Sequence, residues 1–91
     1  MFIVISYDIA DDKRRNKVAK TLENYGTRVQ YSVFECIMEK DRLLKLREEL
    51  KKIIDETQDS IRFYFLCETC LKRIDITGTG EITKDLEFYI I

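Results

Sequence analysis

The sequence contains no histidine, no proline and no tryptophan, and only three glycines. Without histidine the chain holds no Ser–His or Cys–His nucleophile pair, and it lacks the side chain that ordinarily titrates near neutrality. Any hydrolytic chemistry must then come from a metal-bound water or from a perturbed carboxylate, Lys or Tyr. No apolar run approaches the ~20 residues of a membrane-spanning helix. The N-terminus shows no basic region followed by an apolar stretch and a small-residue cleavage site, so the expected compartment is the cytoplasm. Cysteine is sparse: Cys36, Cys67 and Cys70. An odd count without a secretion signal does not suggest a disulfide framework. Cys67-Glu68-Thr69-Cys70 has the spacing of half a structural zinc site. Such a site takes four ligands, and only a second chain across a two-fold axis would supply the other two. The simpler reading puts a buried Cys67 at the end of an apolar strand and Cys70 in the turn after it.

What is present points to one small globular domain spanning 1–91. Apolar residues make up 45% of the chain, enough to exclude disorder on compositional grounds. A chain of this size buries only about 60–70% of its unfolded surface, so a partner covering one face stabilises it. Charged residues reach 36% beside two Asn and two Gln, a composition that leans toward a thermophile. The net charge of −1 argues against coating nucleic acid through bulk charge. The distribution matters more. Lys13, Arg14, Arg15, Lys17, Lys20 and Arg28 face Glu23 as the sole acid between positions 13 and 28, and the other acids concentrate after Glu39 and near the C-terminus.

Phe2 to Tyr7 is a β-branched run that predicts a strand buried on both faces. Asp11 or Asp12 is positioned to cap a helix in which Arg15, Val18, Ala19, Leu22 and Tyr25 recur at helical spacing, with Gly26 suited to a left-handed stop. Thr27–Met38 is strand-like: either a hairpin turning near Gln30–Ser32 or one bent strand. Asp41 is the expected cap of a second helix, whose stripe runs through Leu43, Leu46, Leu50, Ile53 and Ile54. Ile61–Cys67 predicts an aromatic-rich strand, and Arg73–Thr77 alternates like a half-exposed one. Gly78-Thr79-Gly80 is no phosphate loop, since it lacks the Lys and the following helix. Leu86–Ile91 is apolar. The order β-α-β-β-α-β with added strand material predicts an α+β, ferredoxin-like fold, with both helices on one face of an antiparallel sheet. Aromatic strands would leave the other face apolar, and a second copy is the natural cover. The segment from about 81 to 91 is expected to pack on that partner; folding back on its own sheet is the alternative.

Asp8 sits where the first strand opens into a loop. A lone Asp there is commonly a turn former. In a symmetric dimer that brings two copies together, however, the paired carboxylates repel and recruit a hard divalent cation such as Mg²⁺. A metal beside the basic stretch suits a phosphodiester. The lysines and arginines of that stretch otherwise read as a solvated helix face, and Tyr7 and Phe34 as core aromatics, with base stacking as their functional alternative.

Tyr7-Asp8-Ile9, Asp12 with Arg14-Arg15 and Lys17-Val18-Ala19-Lys20, Tyr25-Gly26, Arg28-Val29-Gln30, Ser32-Val33-Phe34-Glu35 and Ile61-Arg62-Phe63-Tyr64 occur in this order. The combination resembles the signature of the CRISPR-associated protein two family over nearly the whole chain. The resemblance implies a ferredoxin-like homodimer whose C-terminal strand packs onto the partner's sheet. It also implies that the two Asp8 side chains face one another as metal-binding and catalytic residues, with Mg²⁺ or another divalent cation such as Mn²⁺. Tyr7, Arg15, Lys17, Arg28 and Phe34 are implied as supporting or nucleic-acid-binding residues; Lys17 stands where some members have Arg and gives up bidentate phosphate geometry. The implied activity is endonucleolytic cleavage of single-stranded RNA or double-stranded DNA. The implied partner is the integrase subunit, CRISPR-associated protein one, in spacer acquisition. Two other readings are a non-catalytic scaffold that bridges integrase dimers on protospacer DNA, and a toxin-like ribonuclease of the same fold. A ferredoxin-like regulatory domain without metal or nucleic acid is the reading furthest from these.

Overall fold

The computed structural model describes residues 1–84; the expected strand material at 85–91 lies outside the described residues. The chain runs β1 (Phe2–Asp8), α1 (Asp12–Glu23), β2 (Gly26–Gln30), β3 (Val33–Ile37), α2 (Lys40–Ile53), β4 (Ser60–Leu66) and a single turn of helix, α3 (Glu68–Leu71). The four strands form one sheet in the order β2-β3-β1-β4, with β1 antiparallel to both neighbours and β2 antiparallel to β3. This is the ferredoxin-like α+β arrangement.

Alternation along the strands sorts the side chains onto two faces. Ile3, Ile5 and Tyr7 of β1 and Phe34 and Cys36 of β3 point to the helices and are buried with Val18, Ala19 and Leu22 of α1 and Leu43, Leu46 and Leu50 of α2. Ile61 and Phe63 of β4 pack against the same core. The opposite face carries Val4, Ser6, Val33, Glu35 and Ile37, all half-buried, with Arg62 and Tyr64 exposed. The expectation that β1 is buried on both faces is met only in part: the helix side is filled along the strand, whereas on the other side Phe2 is buried, Val4 and Ser6 are half-buried and Asp8 is exposed.

α1 begins as its sequence predicts, with the Asp11 carboxylate accepting the Arg14 N–H at 2.9 Å. Its end differs from expectation. The helix closes through tight bonds from Asn24 N–H to the Thr21 carbonyl and from Tyr25 N–H to the Leu22 carbonyl, and Gly26 is the first residue of β2 and not a left-handed stop. Glycine is required there by proximity: a Cβ at position 26 would lie 2.4 Å from both Cys36 Sγ and the Glu35 carbonyl oxygen. The 27–38 stretch is a hairpin. Its turn falls at Tyr31–Ser32, and a bulge between Arg28 and Gln30 shifts the register. α2 starts two residues earlier than a cap at Asp41 would place it. Glu39 holds the cap position without a side-chain bond, and Asp41 instead places its charge in the first turn.

Beyond β4 two further expectations fail. Cys67 is exposed, because β4 is an edge strand that ends at Leu66 and Cys67 opens α3. Arg73–Thr77 forms no strand. Arg73 and Ile74 donate back to the Cys70 and Leu71 carbonyls, prolonging the turn and taking the start of the alternating segment out of strand geometry. Gly78 and Gly80 adopt positive φ in the chain that follows. That chain returns toward the hairpin, where the Thr83 hydroxyl donates to Glu35 Oε1 at 2.6 Å on the face away from the helices.

Candidate functional site

Asp8 is the last residue of the central strand, opposite Ser60 on β4, with its side chain exposed. Alternation puts it on the helix-free face, in line with Val4 and Ser6. Arg62 lies on that face too, opposite Ser6 and one step along β4 from Ser60. Its guanidinium is held protonated, first by a bond to the Tyr64 hydroxyl at 3.4 Å and to a smaller degree by the negative charge of Asp8. Arg62 is thus the cation that the fold sets beside Asp8. Sequence reasoning did not single it out, because which β4 residue flanks Asp8 depends on the cross-strand register; the pattern Ile61-Arg62-Phe63-Tyr64 supplied only the alternation.

The other residues implied by resemblance fall elsewhere. Tyr7, Arg28 and Phe34 come together on the helix side of the sheet, opposite to Asp8. The Tyr7 hydroxyl donates to the Tyr31 carbonyl at 3.3 Å and accepts from Arg28 at 3.2 Å. The Tyr7 and Phe34 rings are 6.3 Å apart and tilted by 31°, and the Arg28 guanidinium stands 5.4 Å from the centre of the Phe34 ring and 5.7 Å from that of Tyr31. Tyr31 was not anticipated as part of this group. It occupies the hairpin turn and is 71% exposed; the pKa of Arg15 is raised first by Asp12 and that of Arg28 first by the Tyr7 hydroxyl, with Tyr31 a smaller influence on both.

Arg15 braces the loop that follows Asp8. It donates to the carbonyls of Ile9 at 3.2 Å and Ala10 at 3.3 Å and pairs with Asp12, and its Nε is buried without a partner. Lys17 stays in solvent on α1, where Lys13, Lys17 and Lys20 form one exposed stripe at positions i, i+4 and i+7. Arg14, in contrast, leaves the basic surface. Its Nε and Nη2 grip the Asp59 carboxylate at 2.7 and 3.2 Å, and that carboxylate also accepts the Asp55 N–H at 2.9 Å. Hydrogen bonding from Arg14, and then from the Asp55 backbone, holds the Asp59 pKa below the usual carboxylate range. Because Asp59 precedes Ser60, this fork ties α1 to the strand end that faces Asp8.

As a donor set for a divalent cation, one protomer offers little. No cluster of three or more Asp, Glu, Cys or His suited to a metal occurs among the described residues, and the Ile9 and Ala10 carbonyls are engaged by Arg15. Asp8 remains as a single hard oxygen ligand on an open face. No helix of the described residues is long and apolar enough to cross a membrane.

The comparison with known proteins fits this geometry. The family model described as CRISPR associated protein Cas2 matches residues 1–74. The chain belongs to the Cas2 family. It is 50% identical over 91 residues to a protein of Chloroflexus aurantiacus named CRISPR-associated endoribonuclease Cas2 3, covering 100% of this chain and 98% of that one. Among solved structures, Streptococcus pyogenes Cas2 superposes with a TM-score of 0.76 at 38% identity, covering 86% of this chain and 100% of that chain. A chain from a partial Cas6-RT-Cas1–Cas2 complex superposes with a TM-score of 0.74 at 35% identity, covering 82% and 88%. With its family settled, the ferredoxin-like fold expected from the order of elements agrees with these neighbours.

Proposed function

We propose that this chain is a Cas2 nuclease subunit of spacer acquisition, acting as a homodimer on a phosphodiester backbone with a divalent cation, Mg²⁺ or Mn²⁺, at paired Asp8 carboxylates. The observation that carries this reading is the position of Asp8: exposed, at the end of the central strand, on the sheet face that the helices leave uncovered. A second copy seated on that face along a two-fold axis near the end of β1 would bring two carboxylates together. Their mutual repulsion favours a cation between them, and water and substrate would fill its remaining coordination positions. Such an ion, when bound, supplies an activated water and polarises the phosphate. The protein's own contribution is to hold the Asp8 carboxylate at a fixed strand end. Arg15 fixes the backbone immediately after it, and the Arg14–Asp59 fork fixes the opposing strand. Arg62 places a positive charge on the same face, able to offset charge developing on a phosphoryl oxygen. The names of the curated relatives, endoribonuclease and endonuclease, support the reaction class.

The decisive experiment titrates Mg²⁺ and Mn²⁺ into cleavage assays on single-stranded RNA and duplex DNA, with Asp8→Asn as the control. An exposed position predicts a stability change within about 0.5 kcal/mol for that variant, so loss of cleavage with an unchanged melt reports chemistry. Full cleavage by highly purified Asp8→Asn would overturn the assignment. A second reading, a scaffold that bridges integrase subunits and holds DNA, is favoured by the thin ligand set, since one carboxylate per protomer is sparse for a dedicated nuclease. The relative within a Cas1–Cas2 complex supports the same partner. On this reading Asp8→Asn leaves spacer acquisition intact.

A further inference from the structure

The Cas2 reading makes no use of the two exposed thiols at the end of β4, and their arrangement has a chemistry of its own. Cys67 occupies the cap position of α3 and Cys70 lies within its single turn. The two Sγ atoms are 3.4 Å apart, both residues are exposed, and neither is bonded to another cysteine. Cys36, the third thiol, is fully buried in the core, and burial pushes its pKa up to about 11. The pair is therefore set apart from it by access as well as by ionisation. Within the pair the two sulfurs differ. Hydrogen bonding with the Cys70 backbone and then its side chain lowers the Cys67 pKa, and the contact with Cys67 raises that of Cys70. One attacking and one resolving sulfur is the division of labour that dithiol–disulfide exchange uses.

We infer that Cys67 and Cys70 form a reversible intramolecular disulfide, a redox modification site at the point where the chain leaves the sheet. The oxidant is a small-molecule disulfide such as oxidised glutathione. The Cys67 thiolate attacks one of its sulfurs; the small disulfide's S–S bond breaks, and one thiolate departs and takes a proton. The Cys70 sulfur, giving up its proton, then attacks the Cys67 sulfur of the mixed disulfide and expels the second small thiol. The protein loses two electrons and two protons, and one small disulfide becomes two thiols. α3 favours the second step because it already holds the sulfurs close: Leu71 N–H bonds to the Cys67 carbonyl at 2.9 Å, closing the turn around the pair. The bond would pin the turn from which residues 72–84 run back toward Glu35.

The test incubates the full-length protein, stripped of metal with a chelator, in glutathione buffers of graded ratio. Free thiols are then alkylated and mapped by mass spectrometry. Wild type is expected to lose Cys67 and Cys70 together in one two-thiol step while Cys36 stays alkylatable after unfolding. Cys70→Ser is expected to stop at a glutathione adduct on Cys67. Cys67→Ser is expected to stop at a glutathione adduct on Cys70, so that neither single variant completes the two-thiol step. A glutathione adduct that persists on the wild type, a disulfide linking two chains on a non-reducing gel, or a zinc ion that survives chelation and shields both thiols would each overturn the inference.

Discussion

Replacing Gly26 by alanine adds one methyl group where the fold has no space for it. The new Cβ would meet Cys36 Sγ and the Glu35 carbonyl oxygen at 2.4 Å and the Cys36 Cα at 3.0 Å. Two of these atoms are backbone of the adjacent strand, so relief requires β2 to move away from β3. Overpacking of this kind costs about 1–3 kcal/mol. The lower entropy of an unfolded chain with Ala in place of Gly returns about 0.4–1 kcal/mol, since position 26 has no positive φ to strain. The central net loss of about 1.3 kcal/mol lowers the melting temperature by about 5–10 °C in a domain of this size. Thermal unfolding followed by circular dichroism measures it. Cys36→Ala in the same background removes the sulfur clash and leaves the carbonyl clash, so the double variant should be less destabilised than the sum of the singles yet still below Cys36→Ala alone. Arg28 lies two residues along β2, and the same displacement should loosen its stacking on Phe34. A Gly26→Ala variant that melts at or above wild type would refute the close-approach argument.

The remaining predictions concern the site and its supports. The Asp59 carboxylate has a lowered folded-state pKa, so its contribution to stability is complete above the unfolded value of about 3.9 and is lost as pH falls through the folded one. Arg14→Gln should therefore lower stability near neutrality and flatten the acid limb of a stability–pH curve measured by chemical denaturation; an unchanged limb would show that the fork is not the linked group. Phe34 is fully buried, so Phe34→Ala should cost about 3–5 kcal/mol, and any loss of cleavage in that variant should coincide with unfolding in a melt at the assay temperature. Replacing Lys13, Lys17 and Lys20 together by Gln should reduce the slope of log affinity against log salt by about 0.7–0.9 for each phosphate contact removed. A fluorescence-anisotropy salt series on RNA and duplex DNA gives that slope, and an identical slope would make the stripe a solvated helix face.

The elements that could be read from the sequence were those determined locally. The β-branched run at Phe2–Tyr7, the Asp11 cap and the leucine stripe of α2 each act over a few residues, and each appears where expected. What the sequence hid depends on pairing across distance. Arg14 and Asp59 are 45 positions apart, and nothing local distinguishes Arg14 from its basic neighbours. Arg62 becomes a neighbour of Asp8 only through the β1–β4 register. Gly26 misled because a glycine after a helix usually signals a left-handed stop, whereas here its smallness serves strand packing. Arg73–Thr77 misled because its alternation is overridden by the turn after β4, which runs on through Arg73 and Ile74.

The resemblance grouped Asp8 with Tyr7, Arg15, Arg28 and Phe34, and the structure divides that group by face. Tyr7 and Asp8 are consecutive, so in a strand they must point to opposite sides. Tyr7 looks inward to Arg28 and Phe34 and locks the hairpin onto β1, while Asp8 looks outward to the helix-free face with Arg62. Substituting Phe34 therefore acts on the packing beneath the sheet, and substituting Asp8 acts on the surface where a second copy would sit. Arg15 stands between the two, holding the carbonyls of Ile9 and Ala10. Its Nη1 and Nη2 are engaged by two carbonyls and Asp12. Those bonds fix the backbone where the strand ends. Among the described residues, the sheet cation that shares the face of Asp8 and adjoins it in register is Arg62.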